Sequence, residues 1–223
     1  MHILIATKAP RPGHSKTRLL PALSPADAAR LHEALLLDTL DGARREAASV
    51  ALLVAEAADV PVLEALIGDV EIVLQHGAGL ADALFHAFAS ATVRDPVAVI
   101  SSDTPGLPPG EVSAVAAALA AGADVALGPT PDGGYWLIAM TAQHAAPFRE
   151  IPWSTDECMA ATLERCREDS LDVHLGAPWR DIDVPGDVAR LRTEVSRELA
   201  PRTASLLAVL GVGTPPSPHR AGG

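Results

Sequence analysis

Aromatic residues are scarce: the 223-residue chain has three tryptophans, three phenylalanines and one tyrosine, 3% in all. Cysteine is scarcer still, with only Cys158 and Cys166. They lie eight residues apart in a segment that reads as one helix. A helix separates them by roughly 12 Å, too far for a disulfide. A zinc site needs further ligands nearby, and none are spaced for it. The expectation is two reduced helix thiols and a cytoplasmic protein. Basic residues are outnumbered, 17 against 28 acidic, for a net charge of −11. This argues against nucleic acid as the main partner and against an anionic membrane surface, since both select clustered Lys and Arg. Long hydrophobic runs are missing too. The apolar start Met1–Thr7 is too short for a signal-peptide core or a span. The Ala-rich run 112–123 is also short, and Glu111 and Asp124 bracket it. The chain reads as soluble.

What is present is apolar content, 48%, which excludes a disordered chain. The length suits one α/β domain with a sizeable core. Near-continuous apolar runs at 3–7, 50–55, 70–74, 97–101 and 124–127 read as strands buried on both faces. Tyr135–Met140 and Leu171–Leu175 are further candidates. Helical patterns fill the intervals. Ser24-Pro25 offers an N-cap followed by Pro at the first helical position. Leu80, Leu84 and Phe88 line one helix face at i, i+4, i+8. Ser154 and Glu157 have capping-box spacing in front of the cysteine helix. The alternation predicts an α/β, Rossmann-like three-layer sandwich with a mostly parallel sheet. One domain is expected over residues 1–210. The stretch 211–223, rich in Pro and Gly, reads as a disordered tail.

Ligands of such sheets sit beyond the carboxyl ends of the strands. The loop Lys8–Arg18 carries four cations in eleven residues, stiffened by Pro10 and Pro12 and opened by Gly13. It reads as an anion site. A P-loop it is not, because Pro10 and Ser15 stand where the two glycines belong. Gln75-His76-Gly77-Ala78-Gly79 suits close backbone contact with a phosphate or a plain strand-to-helix turn. Ser102-Asp103-Thr104-Pro105 puts a carboxylate at a strand end, fit for Mg²⁺ or Mn²⁺ or for capping a turn. Asp132-Gly133-Gly134 fits either a hairpin turn or, with Tyr135 and Trp136 beside it, a surface that packs on a ligand. In Asp181-Ile182-Asp183-Val184-Pro185, Asp183 is placed to approach Asp103 and complete a metal site. Asp181, and Asp187 in the helix that follows, have simpler readings as capping carboxylates.

Together these blocks resemble a known family. They run Lys8-x-Pro10-x-Pro12-Gly13-x-x-Lys16-Thr17-Arg18-Leu19, Ser102-Asp103-x-Pro105-x-Leu107, Gly128-Pro129-x-x-Asp132-Gly133-Gly134-Tyr135-Trp136, Pro152-Trp153-Ser154-Thr155 and Asp181-x-Asp183-x-Pro185. The pattern is similar to the selenodomain-associated, or arsenosugar-biosynthesis-type, glycosyltransferases. These belong to the nucleotide-diphospho-sugar transferase superfamily, with the glycosyltransferase-A fold. The resemblance implies Asp103 and Asp183 as metal ligands, and a phosphate loop at Lys8–Arg18. It departs from the pattern at Ala81 and Ala83, where Gly and Arg are expected.

The expected nucleotide and phosphate contacts are Lys8, Gly13, Lys16, Arg18, Gln75, Gly77 and Ser102. Those to the sugar or acceptor are Gly133, Gly134, Tyr135, Trp136, Trp153 and Ser154. Asp132 or Asp156 is the expected base. The function implied is metal-dependent transfer of a sugar from a nucleotide-sugar to a small-molecule acceptor. Two alternatives stand beside it. One is nucleotidyl transfer from a nucleoside triphosphate, since the first loop also resembles nucleotidyltransferase loops. The other is nucleotide binding without catalysis.

Overall fold

A computed structural model describes residues 1–92 and 94–210. The expected tail at 211–223 lies outside them. Seven strands form one sheet: β1 (His2–Thr7), β2 (Ser49–Val54), β3 (Glu71–Leu74), β4 (Val97–Ser101), β5 (Val125–Pro129), β6 (Tyr135–Met140) and β7 (Val173–Leu175). Their spatial order is β3-β2-β1-β4-β6-β5-β7. All pairs are parallel except β4–β6 and β5–β6. The fold is thus the expected α/β type, a mostly parallel mixed sheet. The helices are α1 (Pro25–Glu46), α2 (Val60–Ile67), α3 (Leu80–Ala87), α4 (Glu111–Ala120), α5 (Cys158–Glu168), α6 (Pro185–Glu194) and α7 (Pro201–Val209).

The strands are apolar at successive positions because helices cover both faces. Ile3, Ile5, Leu52, Val54 and Ile100 point to one side, against Leu36 and Leu40 of α1, Leu63 of α2 and Val115 of α4. The alternate residues Leu4, Leu53, Val97, Val99, Ile138 and Met140 meet Leu84 of α3, Phe88, Phe148 and Cys166 of α5 on the other. This is period-two alternation with both phases buried. A third cluster joins the outer face of α1 (Leu31, Leu35) to Val188 and Leu191 of α6 and to Leu206 and Leu207 of α7.

The chain runs outward from β1 through β2 to β3, then crosses back to lay β4 on the other side of β1. The β1/β4 boundary is therefore a topological switch point, where a crevice opens at the carboxyl ends of the strands.

Local signals hold in some places and fail in others. Ser24 caps α1, its hydroxyl accepting the Asp27 amide at 3.1 Å. The Asp132-Gly133-Gly134 segment turns a hairpin between antiparallel β5 and β6. The capping box expected at Ser154 and Glu157 does not form. Ser154 sits in the left-handed region at φ 63°, and Glu157 is itself the N-cap of α5. Thr155 fills the role, its hydroxyl donating to Pro152 O at 2.7 Å and accepting from the Glu157 amide at 3.3 Å. Leu80 is exposed rather than sharing the buried face of Leu84 and Phe88, since it begins α3 at the rim. Cys158 and Cys166 are both free and buried, and burial raises both thiol pKa values, that of Cys166 to about 11. No described helix is long and apolar enough to cross a membrane.

Candidate functional site

Three loops meet at the switch point. The loop after β1 is anchored by Asp59, whose carboxylate accepts the Ala9 amide at 2.9 Å and pairs with Arg11 at 3.1 Å. The loop then turns inward at Lys16, a non-glycine residue held at φ 50°. The Lys16 side chain is 4% exposed. Its ammonium donates to the carbonyl of Ile182 and pairs with Asp103 Oδ2 at 2.9 Å and Asp183 Oδ1 at 3.0 Å. Arg18, mostly exposed, stands 3.6 Å from Asp183 Oδ2. Asp103 follows β4. Asp183 precedes α6, where Asp187 holds its turn by accepting the amides of Asp183 (3.0 Å) and Val184 (2.8 Å). Asp187 is thus the capping carboxylate its position suggests. The Ile182 amide donates to Asp103 O at 3.0 Å and ties the two turns together.

Asp103 and Asp183, 80 residues apart in sequence, thus converge on one ammonium. Their side chains are 33% and 37% exposed. Among the described residues no three His, Cys, Asp or Glu side chains form a metal-binding group. The donor set nevertheless fits Mg²⁺ or Mn²⁺. These ions commonly take one or two carboxylates and complete their shell with water and phosphate oxygens. Such an ion would share the carboxylates with Lys16 or displace it.

Behind this centre lies His32 of α1, which no local sequence pattern singles out. Its Nε2 is 3.4 Å from both Thr7 Oγ1 and Ser102 Oγ, and 3.9 Å from Asp103 Oδ1. Burial lowers its pKa to about 4, so the ring is neutral at pH 7. Ser102 was expected to meet phosphate; its hydroxyl is instead buried against His32, beneath the carboxylates. Asp181 was weighed only as a cap. Burial, then the charges of Asp183 and Asp132, raise its pKa to about 6, which places both of those carboxylates within electrostatic reach of Asp181.

Lys8 and Gly13 are exposed on the first loop. Gln75 and Gly77 lie beyond β3, two strands from β1. There Asp82 of α3 accepts the Ala78 amide at 2.9 Å. A Cβ on Gly77, at φ 96°, would collide with the Asp82 side chain. One amide of this turn is therefore already taken by the chain's own carboxylate.

In the hairpin turn, Asp132 Oδ1 accepts the Thr130 hydroxyl and, at 3.3 Å, the Gly134 amide. Gly133, at φ 88°, lets the turn press against Asp156 O, where a Cβ would clash. The Met159 amide donates to Gly133 O at 2.8 Å. The hairpin and the 152–157 turn therefore form one unit. Ser154 and the Asp156 side chain are exposed on it. Half-buried Trp153 packs edge-on against Tyr135 at 6.4 Å between ring centroids. Burial raises the Tyr135 phenol pKa well above its usual value.

Trp136 was expected to pack on a ligand; it is 2% exposed, with its indole donating to Ala177 O at 3.1 Å. It belongs to the core: where the β5–β6 register shifts beside Gly128 and Pro129, it joins the same buried cluster as its neighbour Leu137. The tryptophan beside the acidic turn is Trp179. Its neighbours Pro178, Arg180 and Asp181 were the signal that could have found it.

A family model described as "uncharacterized protein conserved in bacteria (DUF2064)" matches residues 39–155. The chain belongs to this family. Among solved structures, the DUF2064 chain is similar to a protein named as a nucleotide-diphospho-sugar transferase from Desulfovibrio desulfuricans G20. The identity is 28%, the TM-score 0.82, and 93% of each chain is covered. Two more distant likenesses concern the fold alone. One is CMP:2-keto-3-deoxy-manno-octonic acid synthetase complexed with CTP, at 15% identity and TM-score 0.55, covering 88% of this chain and 98% of that one. The other is Rv0371C from Mycobacterium tuberculosis H37Rv, in complex with manganese, at 19% identity and TM-score 0.51, covering 87% and 98%. No curated protein matches the DUF2064 chain significantly.

Proposed function

We propose that this protein is a glycosyltransferase that moves a sugar from a nucleotide-sugar to a small-molecule acceptor with a divalent cation. Its finer kinship is with the arsenosugar-biosynthesis-type enzymes. The observation that carries the reading is the convergence of Asp103 and Asp183 on Lys16 at the β1/β4 switch point. The likeness to the Desulfovibrio protein supports the donor class.

Asp103 and Asp183 would hold Mg²⁺ or Mn²⁺. When bound, the ion supplies positive charge against the diphosphate oxygens. Lys8 and Arg18, exposed at the same edge, attract the diphosphate and offset charge that develops as the nucleoside diphosphate leaves. Lys16 has a structural part: buried and held by three oxygens, it sets the spacing of the two carboxylates. The acceptor oxygen bonds to the anomeric carbon as the bond to the diphosphate breaks. The hydroxyl proton passes to a carboxylate, Asp132 in preference to Asp156, because Asp132 lies close enough to Asp181 to act on its charge.

The test is a thermal-shift panel of nucleotides and nucleotide-sugars with and without Mn²⁺, followed by turnover of the best donor. A ligand bound only by the native state raises the melting temperature by mass action. We expect a nucleotide-sugar to do so with Mn²⁺, with nucleoside diphosphate as the product. Asp103→Ala should lower turnover at least about a hundredfold with the fold intact. Pyrophosphate release from a nucleoside triphosphate would instead indicate nucleotidyl transfer. Wild-type rates in the variant would remove Asp103 from the mechanism.

A further inference from the structure

Beside the three carboxylate turns lies a cavity of about 400 Å³, within the range of roughly 300–1,000 Å³ typical of small-molecule sites. Its walls are set by the fold. Pro105 comes two residues after Asp103, Pro131 precedes Asp132, and Asp181 and Ile182 precede Asp183. Trp179, Leu191 and Val195 supply apolar surface from the segment after β7 and from α6 and its exit. The cavity is not lined by Asp103, Asp132 or Asp183 themselves, but each stands one or two residues from a residue that lines it.

It also lies on the opposite half of the sheet edge from the cationic loop. The β1 and β3 loops belong to the β3-β2-β1 side; most of the cavity walls follow β4, β5 and β7. A diphosphate drawn to Lys8 and Arg18 leaves this half free. What the cavity offers is mainly apolar surface around one indole, with the charged residues Arg180, Asp181, Asp187, Arg190 and Glu194 also among its walls. Such a lining suits an apolar body that carries a hydroxyl.

We infer that this cavity seats the acceptor, and that the acceptor is a small hydroxyl-bearing molecule with an apolar ring or chain. The inference rests on the transferase reading for the word acceptor, while the cavity's chemistry stands on its own lining. Burial of the apolar body against Trp179 supplies the affinity. The turns at Asp132 and Asp181 to Asp183 fix which end of the molecule faces the donor.

The chain's three tryptophans allow a direct test. In protein labelled with 5-fluorotryptophan, three fluorine resonances are read by NMR, and Trp179→Phe assigns one of them. Benzyl alcohol serves as the probe and glycerol as the polar control. Saturable movement of the Trp179 resonance by benzyl alcohol alone is expected, with Trp136 and Trp153 unmoved. Val195→Phe, which fills the cavity, should weaken that response at least about tenfold while leaving the nucleotide thermal shift unchanged. A silent Trp179, or wild-type binding by Val195→Phe, overturns the cavity as a site even if nucleotide binds. A responsive Trp179 in a protein that binds no nucleotide overturns its assignment to an acceptor, and the proposed function fails with it.

Discussion

Lys16 occupies a backbone region that costs a non-glycine residue about 1 kcal/mol or more, and it is buried in a protein of strongly acidic balance. Both facts follow from its three oxygen partners, which satisfy every donor of the ammonium. His32 lies beneath them as an uncharged ring. Desolvation is the main cause of its lowered pKa. Asp103 and Asp59 favour protonation, whereas Lys16 and Lys8 oppose it. The unfolded chain therefore binds a proton near pH 6.5 that the folded chain refuses until about 4. This contribution to stability is complete above pH 6.5 and is lost as the pH falls toward 4, for up to about 3 kcal/mol. Asp181 acts in the opposite sense. Its raised carboxyl pKa favours the fold at low pH, and that advantage is lost as the pH rises from its ordinary value of 3.8 to about 6. Comparing wild type with His32→Gln isolates the histidine, since Asp181 is common to both. Melting temperatures between pH 7.5 and 4.5 should fall more steeply in wild type than in the variant. Parallel curves would contradict the buried neutral ring.

Helix α7 shows what an element can owe to a distant residue. It has no side-chain cap of its own. The buried carboxylate of Asp38, on α1, accepts the amides of Arg202 at 3.2 Å and Thr203 at 2.8 Å, and pairs with the Arg202 guanidinium at 3.3 Å. Asp38→Ala should cost about 2 kcal/mol, because buried donors are left unmet. Urea denaturation would measure the loss, and hydrogen exchange should quicken in the first turn of α7. Unchanged stability would show that water replaces the carboxylate at no cost. Nothing local announces Asp38, whose partners lie 164 and 165 residues away. The Ser24 cap, by contrast, was legible because all its parts lie within four residues. The strands were legible because burial on both faces leaves apolar runs. The Ser154–Glu157 spacing misled because Thr155, inside it, makes the better local bonds. Trp136 misled for a similar reason. Its place beside the loop suggested exposure, while the β5–β6 register shift turns it into the core. At the site, the strand-end loops suggested that Asp183 approaches Asp103, and the family pattern supported it. Lys16 read as a phosphate ligand because its neighbours in sequence are basic, whereas its neighbours in space are acidic.

At the scale of the molecule, the sheet order divides the work. The β3-β2-β1 half carries the cationic loop, the β6-β5-β7 half carries the hairpin and the apolar cavity, and the carboxylates stand where the halves meet. A net charge of −11 makes the surface unfavourable to anions in general, so under the proposed function a diphosphate would gain its foothold only where Lys8, Arg18 and a bound cation act together. With two carboxylates proposed as ligands and no group of three metal-binding side chains among the described residues, the ion's affinity should depend on that diphosphate. The most direct measurement is Mn²⁺ binding followed by electron paramagnetic resonance, with and without the nucleoside diphosphate that gives the largest thermal shift. Wild type should hold Mn²⁺ at least about tenfold more tightly with the nucleotide, a gain of ~1.4 kcal/mol or more. Asp103→Asn and Asp183→Asn should each abolish that gain. Mn²⁺ binding that ignores the nucleotide, or survives both substitutions, would contradict the account.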